Sequence, residues 1–347
     1  MKSICLFNAN KSSKIQRNLG LEILRMLLCF RIILLHYYSG KNKYILILIR
    51  NRTQVSCFFF ISFYFLYPIV STRNTYKMKL RLERLFIPFI VYPILVWIIN
   101  NLMFFIIKFN RFSRFLTINE LILNLLVGKG IFGIGVLWFQ FNLILLSILF
   151  FITSFLFGEH FLTILQILSS FSYIIQYSKI NYRFFSSYNV NIWMSIGNLL
   201  ETFPIAIAAL SFASSNIITK FLNNMKKCLL LCTTFLYIIT KYNVFSKLPG
   251  HSSPGIINTV HSFLLFSIFY ILPLEILNEK ILYFIKQITK FTQGIYCLHF
   301  LILYYLKAKF NKKGSFNDCI ILYIISYLSS FIGFTICSKT KFKYLFS

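Results

Sequence analysis

Residues 21–36 read LEILRMLLCFRIILLH. The stretch sits inside an apolar run, 20–38, that is long enough to cross a bilayer, yet it carries Glu22, Arg25, Arg31 and His36. A hydrocarbon core about 30 Å thick takes roughly 20 residues of helix, and only helices or closed barrels satisfy their backbone groups there. Comparable runs follow at 54–71, 85–107, 131–157, 161–178, 192–214, 227–240, 256–273, 288–306 and 318–337. The run at 227–240 is the shortest of these, and the apolar segment 117–127 is too short to cross, so it reads as an interfacial or re-entrant helix. The fold expected is an all-α, polytopic transmembrane bundle of about ten spans.

Composition agrees. Of 347 residues, 58% are hydrophobic and 13% charged, and the mean hydropathy is +0.73. Soluble domains carry about 25% charged residues. Lys and Arg number 36 against 8 acidic residues. Most lie between apolar runs, where they anchor helices at anionic membrane surfaces, so membrane lipids and not nucleic acid are the expected partners. The eight cysteines are scattered and mostly apolar in setting, which suits neither a disulfide frame nor a metal site. Basic residues divide almost evenly between the two sides of an even-span topology. The dense cluster Lys77, Lys79, Arg81 and Arg84 favours a multi-pass cell-membrane protein with both termini cytoplasmic.

Helix geometry sorts the polar residues of the first span. Arg25 and His36 are eleven residues apart, so they fall within about 20° of each other and about 16 Å apart along the axis. Glu22 reaches Arg25 as an i, i+3 neighbour. Arg31 points about 120° away, and pairing with Glu201 or reaching to the interface would satisfy it. Ionisable groups at membrane depth mark function by default. A neutral His can take a proton from a hydroxyl, and an Arg can grip a phosphate or carboxylate with two parallel bonds. The plainer alternative is that Arg25 snorkels beside Glu22 and His36 caps the far end.

This segment resembles the opening helix of the acyltransferase-3 family, integral-membrane enzymes that O-acylate surface polysaccharides and related glycans. The family's mark there is a basic residue, ten residues, then His, often with an acidic residue before the base. CFFFISFYFL (57–66) is similar to its FFFISG stretch, and KMKLRLERLFIPFIVYPIL (77–95) to its basic run entering a Pro-containing span. GVLWFQFNLILL (135–146) resembles its LWFL..L element. SSPGIINTVHSFLLF (252–266) resembles a Ser-Pro element, and TQGIYCLHFLI (292–302) the YGIYLIH signature. One departure is Phe63, where the family has Gly. A small residue there would permit close helix approach, so Phe63 bears on the contact between spans one and two.

The resemblance implies a membrane acyltransferase-like domain over residues 18–340 after a tail, 1–17. It implies transfer of an acyl group, acetyl foremost, from acyl-CoA to a hydroxyl of a surface glycan or lipid-linked saccharide, with no bound cofactor. His36 would be the base, Arg25 the support and Glu22 its partner. Lys79, Arg81 and Arg84 would meet the donor phosphates. Ser62, Trp138, Tyr296 and His299 are further substrate-binding candidates. For these, back-bonding, a membrane-belt aromatic and a core His bonded to a neighbour are the plainer readings. Two rivals remain from the residues alone. A transporter or flippase of a saccharide-linked lipid would also line a path with polar groups. A non-catalytic partner of a polysaccharide synthase would keep the framework without the chemistry.

Overall fold

Hydrophobic residues on every side of a helix mean that the helix is buried or faces lipid, and both cases occur here. The computed structural model describes residues 18–40, 53–107, 117–127, 137–177, 190–215, 229–230, 232–238, 255–272, 274, 277–299, 302 and 314–346. The expected tail 1–17 and parts of the expected spans, 131–136, 239–240 and 303–306 among them, lie outside these residues. The described elements are α1 (Leu19–Tyr37), α2 (Thr53–Ser71), α3 (Thr75–Ile107), α4 (Ile118–Val127) and α5 (Leu137–Phe157). They continue with α6 (Phe161–Tyr177), α7 (Val190–Ser214), α8 (Gly255–Tyr270), α9 (Glu279–Thr289) and α10 (Phe316–Ile336). Residues 292–299 are helical between α9 and α10. The fold is all-α, and among the described residues the sole β feature is an isolated bridge between Tyr38 and Gly314.

Among the described residues three apolar stretches are long enough to cross a membrane: Thr75–Leu102, Leu137–Ile175 and Phe316–Ile336. The second is broken by a 3-10 turn at Gly158–His160, where Gly158 adopts a φ of +60°. Only Gly takes that conformation without strain. The outer faces of α5, α6 and α10 expose Leu149, Ile152, Phe155, Phe171, Ile174, Ile324, Leu328 and Ile332. A soluble monomer does not carry so much exposed aliphatic surface, whereas hydrocarbon covers it at no penalty.

The core is built on α2, which packs against α1, α3, α5, α7 and α8. Its Phe59, Phe60 and Phe63 are fully buried. Phe59 meets Phe139 with ring centroids 4.5 Å apart, and Phe60 meets Phe266 at 5.0 Å. Phe63 was expected to bear on the approach of the first two spans. Its ring instead packs on Phe150 of α5 at 5.4 Å, so α5 takes up the extra volume.

The basic run before the third span is helical, not a loop. Asn74 Oδ1 accepts from the Lys77 backbone N–H at 2.8 Å and starts α3 at residue 75. Lys, Arg, Leu, Met and Glu are all good helix formers. At 33 residues α3 is about 50 Å long, so its basic first turns extend past the hydrocarbon. A second element, α9, lies within and before the stretch read as the start of span 288–306. Ile281, Leu282, Phe284, Ile285 and Ile288 form one apolar face beside Lys280, Lys286 and Gln287, the pattern of an interfacial helix.

Helix α1 is held along its length. Asn18 Oδ1 caps Leu21 N–H, and Asn18 Nδ2 donates to the Tyr270 carbonyl at 3.1 Å. A Cβ at Gly20 would collide with the Phe269 carbonyl, so this close approach requires glycine. At the other end Gly314 N–H donates to the Tyr37 carbonyl and Ser39 N–H to the Gly314 carbonyl. The 292–299 run is pinned in turn by residues 341–346. Tyr92 OH donates to the Leu345 carbonyl at 2.7 Å, and a Cβ on Gly294 would press on the Phe346 carbonyl and Ser330 Oγ. Gly294→Leu should therefore destabilise the purified protein by about 1–3 kcal/mol, the usual range for overpacking. Thermal unfolding in detergent measures this, and an unchanged midpoint would show that residues 341–346 do not clamp the run.

Candidate functional site

The first helix presents its polar face as the 3.6-residue period dictates. Glu22 is buried at 4% exposure, and its Oε2 lies 3.5 Å from Arg25 Nη1. The Arg25 side chain keeps 33% of its surface open. A charge-assisted bond of this kind orients the guanidinium without closing it off. Four residues on, Cys29 lies on the same face and donates its thiol to the Thr292 carbonyl at 3.4 Å. His36 ends the face in an exposed position. Its ring stacks on that of His299 with centroids 6.5 Å apart.

His299 is wholly buried, and its Nδ1 is 3.1 Å from the Ile295 carbonyl. A carbonyl can only accept, so Nδ1 carries the proton and Nε2 keeps the lone pair. The tautomer of His299 is thus fixed by its own helix. Tyr296, also buried, packs 6.0 Å from His299, 5.3 Å from Phe139 and 5.8 Å from Phe58. The expected pair Tyr296 and His299 therefore joins His36 in one aromatic cluster at one end of the α1 face.

The basic residues of α3 do not act as one patch. Lys77, Lys79 and Arg84 are exposed, whereas Arg81 turns into the bundle. Arg81 Nη2 donates to Ser62 Oγ at 2.8 Å and to the Ser62 carbonyl at 3.3 Å, and Nε donates to Ser147 Oγ at 3.3 Å. It therefore ties α3 to α2 and α5. Ser62, expected as a donor to substrate or to its own helix, serves as an acceptor for Arg81. Arg84 lies over the Tyr344 ring at 5.5 Å. Trp138 is half-buried and packs 5.9 Å from Phe59, inside the aromatic core.

Arg31 turns into the bundle. It is 7% exposed and hydrogen-bonds Tyr237, with Cys57 close by, so it does not reach out to the interface. Glu201 lies on the exposed part of α7.

Gln140 is a buried amide that the sequence analysis does not single out. It is 2% exposed on α5, its Nε2 donates to Cys297 Sγ at 3.5 Å, and its Oε1 has no hydrogen-bond partner among the described residues. Leaving a buried amide oxygen unsatisfied costs about 1–3 kcal/mol. The signal was available in the sequence, where Gln140 and Asn142 interrupt the apolar run LWFQFNLILL.

A family model described as an acyltransferase domain, that of the acyltransferase-3 family, matches residues 18–339, and the chain belongs to that family. It is a membrane acyltransferase. Comparison with curated proteins and with solved structures gives no match.

The contrast between Arg81 and Lys79 is directly testable. Arg81→Ala strips hydrogen bonds from Ser62 and Ser147 and should lower stability by about 1–3 kcal/mol. Lys79→Ala, at an exposed position, should stay within about 0.5 kcal/mol of wild type. Thermal unfolding of both variants in the same detergent measures this. Equal midpoints would remove the structural tie assigned to Arg81.

Proposed function

We propose that this acyltransferase moves an acyl group, acetyl foremost, from acyl-CoA to a hydroxyl of a surface glycan or a lipid-linked saccharide. The observation that carries the reading is the single face of α1, which offers Arg25 at one end and His36, stacked on buried His299, at the other. Acyl-CoA brings negative phosphates, a long flexible arm and a thioester. Arg25, oriented by Glu22 and reinforced by Arg81, suits the phosphates. The arm can cover the distance along the face to His36. There the imidazole takes the proton of the acceptor hydroxyl as its oxygen bonds to the thioester carbonyl carbon. The C–S bond then breaks and coenzyme A leaves as its thiol, taking up the proton. Tyr296 and His299 line the acceptor end, and the exposure of His36 leaves that end open to a bulky saccharide.

The protein is proposed to be multi-pass with both termini in the cytoplasm. Contacts among the connecting segments support this. Lys341 pairs with Glu83 at 3.0 Å, Gln293 donates to the Arg84 carbonyl, and a Cβ at Gly158 would meet the Arg73 guanidinium. The basic first turns of α3, the turn at 158–160 and residues 341–345 therefore gather at one end of the bundle. That end is rich in Lys and Arg, as cytoplasmic ends are. Reporter fusions after residue 347 and within 41–52 should report opposite sides of the membrane, the first cytoplasmic. A C-terminal reporter on the outside would mean an odd number of crossings.

The chemistry has its own test. His36→Ala should reduce acyl transfer by about 10²–10⁴-fold, the usual loss of a general base. Arg25→Ala should also abolish transfer. Arg25→Lys should be poor, because Lys offers a point charge where Arg offers two parallel bonds. Transfer is read as surface-glycan O-acylation in cells, normalised to membrane-inserted protein, together with thiol release from acetyl-CoA by the purified enzyme. Full activity in His36→Ala would overturn the assignment and favour the transport or partner readings.

A further inference from the structure

Gln140 occupies the position at which the LWFL..L element carries Leu, so this chain buries an amide where an apolar side chain is at home. Phe139, beside it in sequence, packs on the Tyr296 ring. One end of the amide is fixed on Cys297 Sγ and the other meets no hydrogen-bonding group among the described residues. Buried polar groups in native proteins are almost always paired, so an exception at 2% exposure points to a group that arrives later.

The position of the amide along the site narrows what that group is. Cys297 lies two residues before His299, which stacks on His36. Thr292, at the start of the same run, accepts from Cys29, which lies between Arg25 and His36 on α1. Along the 292–299 run the Gln140 amide is therefore held at a level between Cys29 and His36. On the donor reading, the arm that joins phosphates at Arg25 to a thioester at His36 spans that level.

We propose that Gln140 is a substrate-binding residue whose free amide end hydrogen-bonds an amide of the pantetheine arm of acyl-CoA. The inference rests on the donor reading above. Pantetheine carries two amides between the phosphates and the thioester. An amide is complementary to Gln140 in either orientation of its side chain, giving N–H to its oxygen or C=O to its nitrogen. In a site walled by Phe and Tyr, such a bond also fixes how far the arm advances, and so sets the thioester level with His36.

The test compares binding of coenzyme A with binding of adenosine 3′,5′-bisphosphate, which keeps part of the anionic head but lacks the arm. Both are titrated into purified wild-type, Gln140→Leu and Gln140→Met protein. Each variant should bind coenzyme A about tenfold more weakly, the value of one hydrogen bond, while its affinity for the bisphosphate stays at the wild-type value. Without ligand, both variants should melt at or above the wild-type midpoint, because an apolar side chain leaves no unpaired amide. Wild-type affinity for coenzyme A in the variants would overturn the inference and leave the donor reading intact. So would an equal loss for both probes, or a lowered midpoint that marks Gln140 as a structural residue. Failure of the wild-type protein to bind coenzyme A would remove the donor reading itself, and the inference with it.

Discussion

An ionisable side chain at membrane depth costs from about 2.5 kcal/mol upward unless other groups meet it. Helix α1 carries four such residues, and the bundle is organised around meeting them. Glu22 and Arg25 answer each other within one turn. Arg31 is met by Tyr237 on the far side of the helix, and His36 stacks on a histidine from the 292–299 run. To supply these partners α1 must be enclosed, and α2, α8, α9 and α10 all pack on it. The aromatic mass of α2 gives those helices something firm to pack against. A bundle of purely apolar helices would have no comparable reason to adopt one arrangement, because lipid tails are as apolar as Leu.

Much of this was legible from short-range rules. The shared face of Arg25 and His36 and the reach of Glu22 follow from 3.6 residues per turn, and neither needs tertiary information. The break between α5 and α6 was visible at Gly-Glu-His, a polar interruption of a long apolar stretch. The direction of Arg81 was not legible. In KMKLRLER every cation looks alike, and what singles out Arg81 are hydroxyls at Ser62 and Ser147, 19 and 66 residues away. Phe63 misled for a similar reason. A large residue in place of Gly predicts crowding, but which neighbour is crowded depends on the rotation of α2, and that rotation aims the ring at Phe150. Helix α9 was hidden because its apolar face merges into the run that follows, which blurs the amphipathic period. Gln140 was visible as a residue type, while its unpaired oxygen is a fact of packing alone.

The two ends of the α1 face differ in a way that suits two dissimilar substrates. At Arg25 the surroundings are cationic, with Arg81 held by two serines and Arg84 leaning on Tyr344. At His36 they are aromatic, built from Tyr296 and His299. Sugar rings pack well on aromatic faces and phosphates on guanidinium groups, so under the proposed function each end would select by chemistry more than by shape.

The bonds that hold α1 and its neighbours join opposite ends of the chain. Asn18 meets Tyr270, Cys29 meets Thr292 and Tyr92 meets Leu345, across 252, 263 and 253 residues. Synthesis proceeds at about 5–20 residues per second, so α1 emerges tens of seconds before those partners exist. Throughout that interval a helix bearing Arg31 and His36 resides in the membrane without the groups that later satisfy them. It must wait near the insertion machinery, at a thinned patch of bilayer or close to the surface. Nascent chains interrupted before residue 237 would retain this helix with Arg31 unmet, and would be natural substrates for membrane quality control.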